Sequence, residues 1–244
     1  METQILVSEL YGPVIQGEGI VAGTPTIFVR LGGCDYHCSW CDSLYAVEVQ
    51  YKNTWNKMTA EGIITKCMVL APPPMLITLS GGNPALHHLE ELIDLGHHLG
   101  YTFAIETQGT KFPDWAPMLD SITLSPKPPS SGMVTDWLLL KLWLDNTSNV
   151  PERCLKVVVF DEIDFEYASR VRDIAREYNV PMFLQAGTSN PYANTSDPYE
   201  LNGFRDVILR RTDWLGQQVI ANHWNDVRVL PQIHALLYGA KRGV

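Results

Sequence analysis

The chain has 244 residues, 45% of them hydrophobic, with 18 Lys and Arg against 27 Asp and Glu for a formal charge of −9. That balance excludes a nonspecific nucleic-acid binder, because phosphate backbones demand a basic footprint, and no uninterrupted apolar run approaches the roughly 20 residues that span a bilayer. Five cysteines, an odd number, and an opening Met-Glu-Thr-Gln without a charged-then-apolar leader argue against a secreted disulfide framework. The expectation is one cytoplasmic domain over residues 1–244, acting on a small substrate.

From the N-terminus, the run Tyr11-Gly12-Pro13-Val14-Ile15-Gln16-Gly17-Glu18-Gly19 is glycine-rich and too short for a Walker-type phosphate loop. It reads as a turn offering backbone amides, Gln16 and Glu18 to a polar heterocycle. A predicted strand follows at residues 26–31. Arg30 lies inside that otherwise apolar run, where a guanidinium is costly unless paired. A substrate carboxylate suits its planar fork; an ion pair with an internal Asp or Glu is the other reading.

Directly after this strand, Cys34, Cys38 and Cys41 stand in the spacing C-x3-C-x2-C. Three thiolates on one short loop can hold three irons of a cubane and leave the fourth open to a small molecule, whereas four thiolates saturate every iron and leave only electron transfer. That asymmetry is the signature of a radical S-adenosylmethionine enzyme. A tetrahedral zinc site completed by His37 is the alternative, although zinc knuckles usually take paired ligands from separate segments. Cys67 and Cys154 stand alone in apolar runs and are expected to be buried, inert thiols.

Further apolar runs predict strands at residues 76–80, 102–106, 121–125, 155–160, 182–185 and 227–230, each of the kind buried on both faces of a parallel sheet. Helical stripes lie between them. Leu86, Leu89, Leu92, Ile93 and Leu99 precede Gly100 as a C-terminal stop, and Tyr167, Val171, Ile174 and Tyr178 follow the N-cap candidate Asp161. The alternation predicts an α/β fold, an incomplete (β/α) barrel of mostly parallel strands with its site at their C-terminal ends. Four of these strands finish in polar groups: Ser80-Gly81-Gly82-Asn83-Pro84, Glu106-Thr107-Gln108, Ser125-Pro126-Lys127 and Gln185. The glycine pair permits close backbone approach, and Pro84 is placed to start a helix. No two residues of the pairs His87-His88 and His97-His98 share a helical face at i, i+4, so no second metal site is expected.

In this order, the segments Ile15–Gly19, Phe28–Arg30, the cysteine loop with Asp42 and Ser43, Ser80–Pro84, Glu106–Thr110 and Ser125–Lys127 resemble the 7-carboxy-7-deazaguanine synthase family of the radical S-adenosylmethionine superfamily. The resemblance implies conversion of 6-carboxy-5,6,7,8-tetrahydropterin to 7-carboxy-7-deazaguanine with loss of ammonia, in 7-deazapurine (preQ0 and queuosine) biosynthesis. It implies that Cys34, Cys38 and Cys41 hold a [4Fe-4S] cluster, whose open iron chelates S-adenosylmethionine. The radical made from that cofactor takes a hydrogen from the substrate and later returns it. Trp40, Cys41, Asp42, Gly82, Ser125, Pro126, Lys127 and Gln185 match cofactor-binding positions. Ile15, Gln16, Gly17, Glu18, Arg30, Ser80 and the terminal Val244 match the substrate side, and Ser43 matches a Mg2+ ligand. A homodimer, an electron donor of the flavodoxin or ferredoxin type, an N-terminal substrate-binding segment and a C-terminal tail closing the site are also implied. The chain departs from a common superfamily pattern at Asn83, where many members carry Glu, so a neutral cofactor contact is expected there. A glycyl-radical activase shares the cysteine spacing but has no use for Arg30 and Gln16. A zinc-stabilised binding module would need neither these residues nor catalysis.

Overall fold

Near-continuous apolar runs become strands when both faces are covered, and this sheet is built that way. The computed structural model of the protein describes residues 3–188, 198–239 and 241–243. Among them are strands β1 (Ile5–Ile15), β2 (Pro25–Leu31), β3 (Asn56–Met58), β4 (Leu76–Gly81), β5 (Thr102–Thr107), β6 (Ser121–Leu124), β7 (Glu152–Val159), β8 (Met182–Ala186) and β9 (Val227–Leu230). Helices α1 (Leu44–Val47), α2 (Ala60–Leu70), α3 (Glu90–Leu99), α4 (Trp137–Asn146), α5 (Glu162–Glu177), α6 (Pro198–Ala221) and α7 (Ile233–Tyr238) connect or follow them. The sheet runs in the order β3-β1-β2-β4-β5-β6-β7-β8-β9. From β2 to β9 every pairing is parallel. Strand succession in sequence order is what right-handed βαβ units produce. The sheet is an incomplete (β/α) barrel, with β3 and β9 as its two edges.

Ile27, Val29 and Leu31 of β2, Ile77 and Leu79 of β4 and Leu155 and Val157 of β7 are completely buried, and each contributes about 1.5–3 kcal/mol by leaving water. The helices lie on the sheet through the stripes expected of them. Leu92 and Ile93 are buried on α3, which stops at Gly100 in the left-handed conformation (φ 94°). Asp161 caps α5 by accepting from the Asp164 amide, and Val171 and Ile174 of that helix are buried while Tyr167 and Tyr178 are half-buried. Cys67 and Cys154 are buried free thiols. No helix among the described residues is long and apolar enough to cross a membrane.

Three expectations need correction. The glycine-rich run is strand as far as Ile15; only from Gln16 does it turn back toward β2, closed by Gln16 N to Thr24 O at 2.9 Å and Gly23 N to Gln16 O at 2.8 Å. The register shift between Tyr11 and Val14 accommodates Gly12-Pro13, the pair that disguises the strand in sequence. Pro84 opens a single 3-10 turn, Pro84–Leu86, rather than the helix itself, so Leu86 and Leu89 precede α3. Residues 145–152 and 188–197 match no segment of the family resemblance and read from sequence as variable loops; the first includes the end of α4 and the start of β7, and of the second, residues 189–197 lie outside the described residues.

Candidate active site

A cavity of about 240 Å³ opens at the C-terminal ends of the parallel strands, where strand-end loops of a (β/α) architecture converge. The cysteine loop joins β2 to α1 and forms one wall. Cys34, Cys38 and Cys41 are free, half-buried, and all line the cavity. Cys34 Sγ accepts from the Tyr36 amide at 3.4 Å and from Gln108 Nε2 at 3.5 Å. Burial pushes all three thiols above their ordinary value, Cys41 to about 12 with Asp42 adding to the effect. Thiols so placed keep their protons until a positive centre displaces them. His37 is exposed and does not line the cavity; its Nδ1 lies 3.1 Å from Tyr36 O, so it does not complete a zinc site. Of the three cysteines and His37, only the thiols face the cavity, and three thiols are the set that a site-differentiated [4Fe-4S] cluster requires. Among the described residues, no three His, Cys, Asp or Glu side chains gather as a single metal ion would need.

The loop is held by the end of β4. The Gly33 amide donates to Ala46 O at 2.7 Å, and Gly33 O accepts from the Asn83 amide at 2.8 Å. A Cβ on Gly82 would lie 2.0 Å from Gly33 O, and one on Gly81 would lie 2.3 Å from Leu31 O. Both glycines are thus required for the chain's close approach to itself, while Gly81 and Gly82 also line the cavity. Asn83 does not line it. Its Nδ2 donates to Asp35 Oδ1 and Thr110 Oγ1 at 2.9 Å, and its Oδ1 accepts from Thr107 Oγ1 at 2.8 Å. Asp35 Oδ1 also receives Gln108 Nε2 at 2.8 Å. Asn83 therefore ties the cysteine loop to the end of β5.

Of the other candidates from sequence, Trp40, Asp42 and Lys127 line the cavity. Trp40 donates from Nε1 to Ser130 Oγ at 3.0 Å and packs on Phe160, and Lys127 Nζ lies 6.0 Å from its ring centre. Ser125, Pro126 and Gln185 are buried and do not line the cavity. Ser125 Oγ accepts from Lys127 Nζ at 3.3 Å, so it braces the residue that does. Gln185 Nε2 donates to Gly17 O at 3.3 Å and Pro231 O at 3.4 Å, which anchors the N-terminal turn to the end of β9.

At the end of the cavity formed by β1 and β2, Glu9 stands across from Arg30 in the antiparallel register, a cross-strand arrangement of opposite charges. Arg30 Nε is 3.3 Å from Glu9 Oε2, an ion pair too poorly aligned for a hydrogen bond, and both atoms are buried. Nη2 of Arg30 donates to the Tyr11 hydroxyl at 3.0 Å and Nη1 to Ser43 Oγ at 3.2 Å, while Ser43 Oγ donates to Asp42 Oδ1 at 2.7 Å. Burial alone would lower the guanidinium's pKa; Tyr11, Tyr45 and Asp42 outweigh it and hold Arg30 firmly charged. Both readings of Arg30 thus apply: it has an internal carboxylate partner and it faces the cavity. Ser80 also lines the cavity, and its Oγ is buried with no hydrogen-bond partner among the described residues.

Ile15, Gln16, Gly17 and Glu18 line the cavity, while Val244 lies outside the described residues. Lys156, not among the candidates from sequence, is 1% exposed on β7, with its ammonium paired to Glu18 and Glu106. Glu18 Oε1 also accepts from Gln232 Nε2 at 2.9 Å and lies 3.7 Å from His234 Nδ1. Burial raises the Glu18 pKa, but Lys156 and His234 more than offset this and leave it at about 2. The signal for Lys156 was present in sequence: a lysine in an apolar strand requires a partner as much as Arg30 does.

A family described as a 4Fe-4S single-cluster domain matches residues 15–113, the stretch carrying the three thiols and the Gly81-Gly82 turn. The chain is 42% identical to a 7-carboxy-7-deazaguanine synthase of Bacillus cereus over 245 residues, covering 99% of this chain and 100% of that protein. The crystal structure of QueE from Escherichia coli is similar with a TM-score of 0.68 at 22% identity, over 94% of each chain. Streptococcus suis SuiB bound to S-adenosylmethionine is similar with a TM-score of 0.55 at 13% identity, over 84% of this chain and 50% of that one. The two structural likenesses concern the fold.

Proposed function

The chain belongs to the 7-carboxy-7-deazaguanine synthase family, and on that premise we propose that its cavity converts 6-carboxy-5,6,7,8-tetrahydropterin to 7-carboxy-7-deazaguanine and ammonia. The protein is a radical S-adenosylmethionine lyase with a [4Fe-4S] cluster. The observation that carries the reading is the shared cavity: Cys34, Cys38 and Cys41 open on the same space as Gln16, Arg30 and Ser80. Departure of ammonia accounts for every atom lost from the substrate, so no net oxidant or reductant is consumed and the sulfonium is regenerated.

The three thiols hold the cluster, and Trp40, Asp42, Gly82 and Lys127 face the sulfonium cofactor. When bound, the cluster and that cofactor supply one-electron chemistry that removes and returns a substrate hydrogen. The protein's residues bind and orient. Arg30 takes the substrate carboxylate through its charged fork. Ser80 offers an unsatisfied hydroxyl, and the turn Ile15–Glu18 presents backbone groups and the Gln16 amide to the ring. Glu18 is locked by Lys156 and Gln232, which keeps its carboxylate ionised and in place. Ser43, aided by Asp42, is the Mg2+ ligand in this proposal; its oxygen accepts one hydrogen bond, from Arg30, and donates to Asp42, which leaves a lone pair for the ion. Ser125 and Gln185 act one step removed, by bracing Lys127 and Gly17. A single cytoplasmic domain whose C-terminal tail closes the site, a homodimeric assembly and a flavodoxin- or ferredoxin-type donor complete the proposal.

Arg30→Ala tests the substrate side. Loss of a charge-assisted carboxylate contact of about 1.5–3 kcal/mol raises KM roughly 10- to 100-fold. Uncoupled formation of 5′-deoxyadenosine falls far less, and an unchanged KM would remove Arg30 from the carboxylate role. Chelation is expected to lower turnover and added Mg2+ to restore it; indifference to both would remove the ion.

A further inference from the structure

Arg30 alone does not make its end of the cavity attractive to an anion. Glu9 faces it across the β1–β2 pair, and Asp42 reaches it through Ser43. With no ion on Ser43, one guanidinium stands against two carboxylates, and a substrate carboxylate approaching that set meets net negative charge. Arg242 of the C-terminal tail changes the balance. Its Nε and Nη2 both lie 2.8 Å from Glu9 Oε1, the oxygen that Arg30 does not engage. Its Cζ sits 3.6 Å from the centre of the Tyr45 ring, which has Arg30 Cζ at 5.9 Å as well. Arg242 itself lines the cavity. A planar guanidinium held by a carboxylate and stacked on a ring is fixed in place far better than a free surface arginine.

We infer that Arg242 determines specificity for the anionic end of the substrate: docked on Glu9 and Tyr45, it cancels the charge of Glu9 and frees Arg30 to accept a carboxylate. The inference rests on the reading of Arg30 given above. Arg242 is a positioning residue, since it acts through Glu9. Its loss weakens binding of an acid but not of a neutral analogue, and the loss disappears once Glu9 is uncharged. With half of the Arg242 side chain exposed, one unit of charge seen through a dielectric between protein and water corresponds to roughly tenfold in affinity.

The test is equilibrium fluorescence titration of the cluster-loaded protein with 6-carboxypterin, an unreactive aromatic analogue, and with unsubstituted pterin. Arg242→Ala is expected to weaken 6-carboxypterin roughly tenfold, to leave unsubstituted pterin unchanged, and to regain the acid when Glu9→Gln is added. Equal loss of both ligands, or no recovery in the double variant, overturns the charge role of Arg242. A preference for the acid that Arg242→Ala retains overturns this inference alone. Wild-type protein that binds neither pterin overturns the substrate reading, and the inference with it.

Discussion

Cys38→Ala is expected to abolish both cleavage of S-adenosylmethionine and formation of the deazaguanine acid, while the protein remains folded. The chemistry fails because the loop keeps two thiols, and the third iron of a site-differentiated cluster loses its ligand. The fold survives because the loop is not held by that side chain. Its anchors are Gly33 against Ala46 and Asn83, and Asp35 against Asn83 and Gln108. Iron and sulfide analysis beside a thermal melt separates the two effects: lost iron with a near-native melt is the expected pair. Retained turnover would refute the assignment of these thiols.

Lys156→Met is expected to cost about 3–5 kcal/mol of stability, the usual penalty for removing one member of a buried charge set. In the native protein the ammonium is 1% exposed and neutralises Glu18 and Glu106 together. Without it, two carboxylates face each other with little water. A loss of this size lowers the melting midpoint by roughly 6–20 °C in a domain of this length. The same cluster predicts an acid limb. Glu18 is held at about 2 against an ordinary 4.5, so its contribution is fully present above about pH 4.5 and is lost as pH falls toward 2. A depression of that size is worth on the order of 3 kcal/mol. Denaturant titrations between pH 2 and 7 check both statements. A Lys156→Met midpoint equal to the wild type, or an acid limb unchanged in Glu18→Gln, would contradict them.

The parallel part of the sheet was legible because its seven strands are short, largely apolar runs separated by helical stripes, and the residues at their ends mark the barrel mouth. The antiparallel start was not. In β1 only Ile5 and Val7 are buried at the level of the central strands, and Gly12-Pro13 interrupts the alternation. With β1 unrecognised, the register that sets Glu9 opposite Arg30 was invisible, and so was the reason Arg242 docks there. Ser125, Pro126 and Gln185 show a second limit. They lie at the correct end of the barrel, but all three are buried against protein and only Lys127 reaches the cavity: Ser125 Oγ accepts from Lys127 Nζ, and Gln185 Nε2 donates to Gly17 O. At Asn83 the departure from the common acidic residue could be seen in sequence. Its meaning required the partners Asp35, Thr107 and Thr110, which come from two other strand ends.

The central claim is that this cavity rearranges a carboxylated pterin and conserves its sulfonium cofactor. It is tested most directly by anaerobic turnover of the iron-reconstituted protein with reductant, Mg2+, S-adenosylmethionine and 6-carboxytetrahydropterin, following product mass and remaining S-adenosylmethionine together. The account predicts many equivalents of 7-carboxy-7-deazaguanine per equivalent of S-adenosylmethionine lost. Slow accumulation of 5′-deoxyadenosine without that product would contradict it, and would direct attention back to Gln16, Arg30 and Ser80.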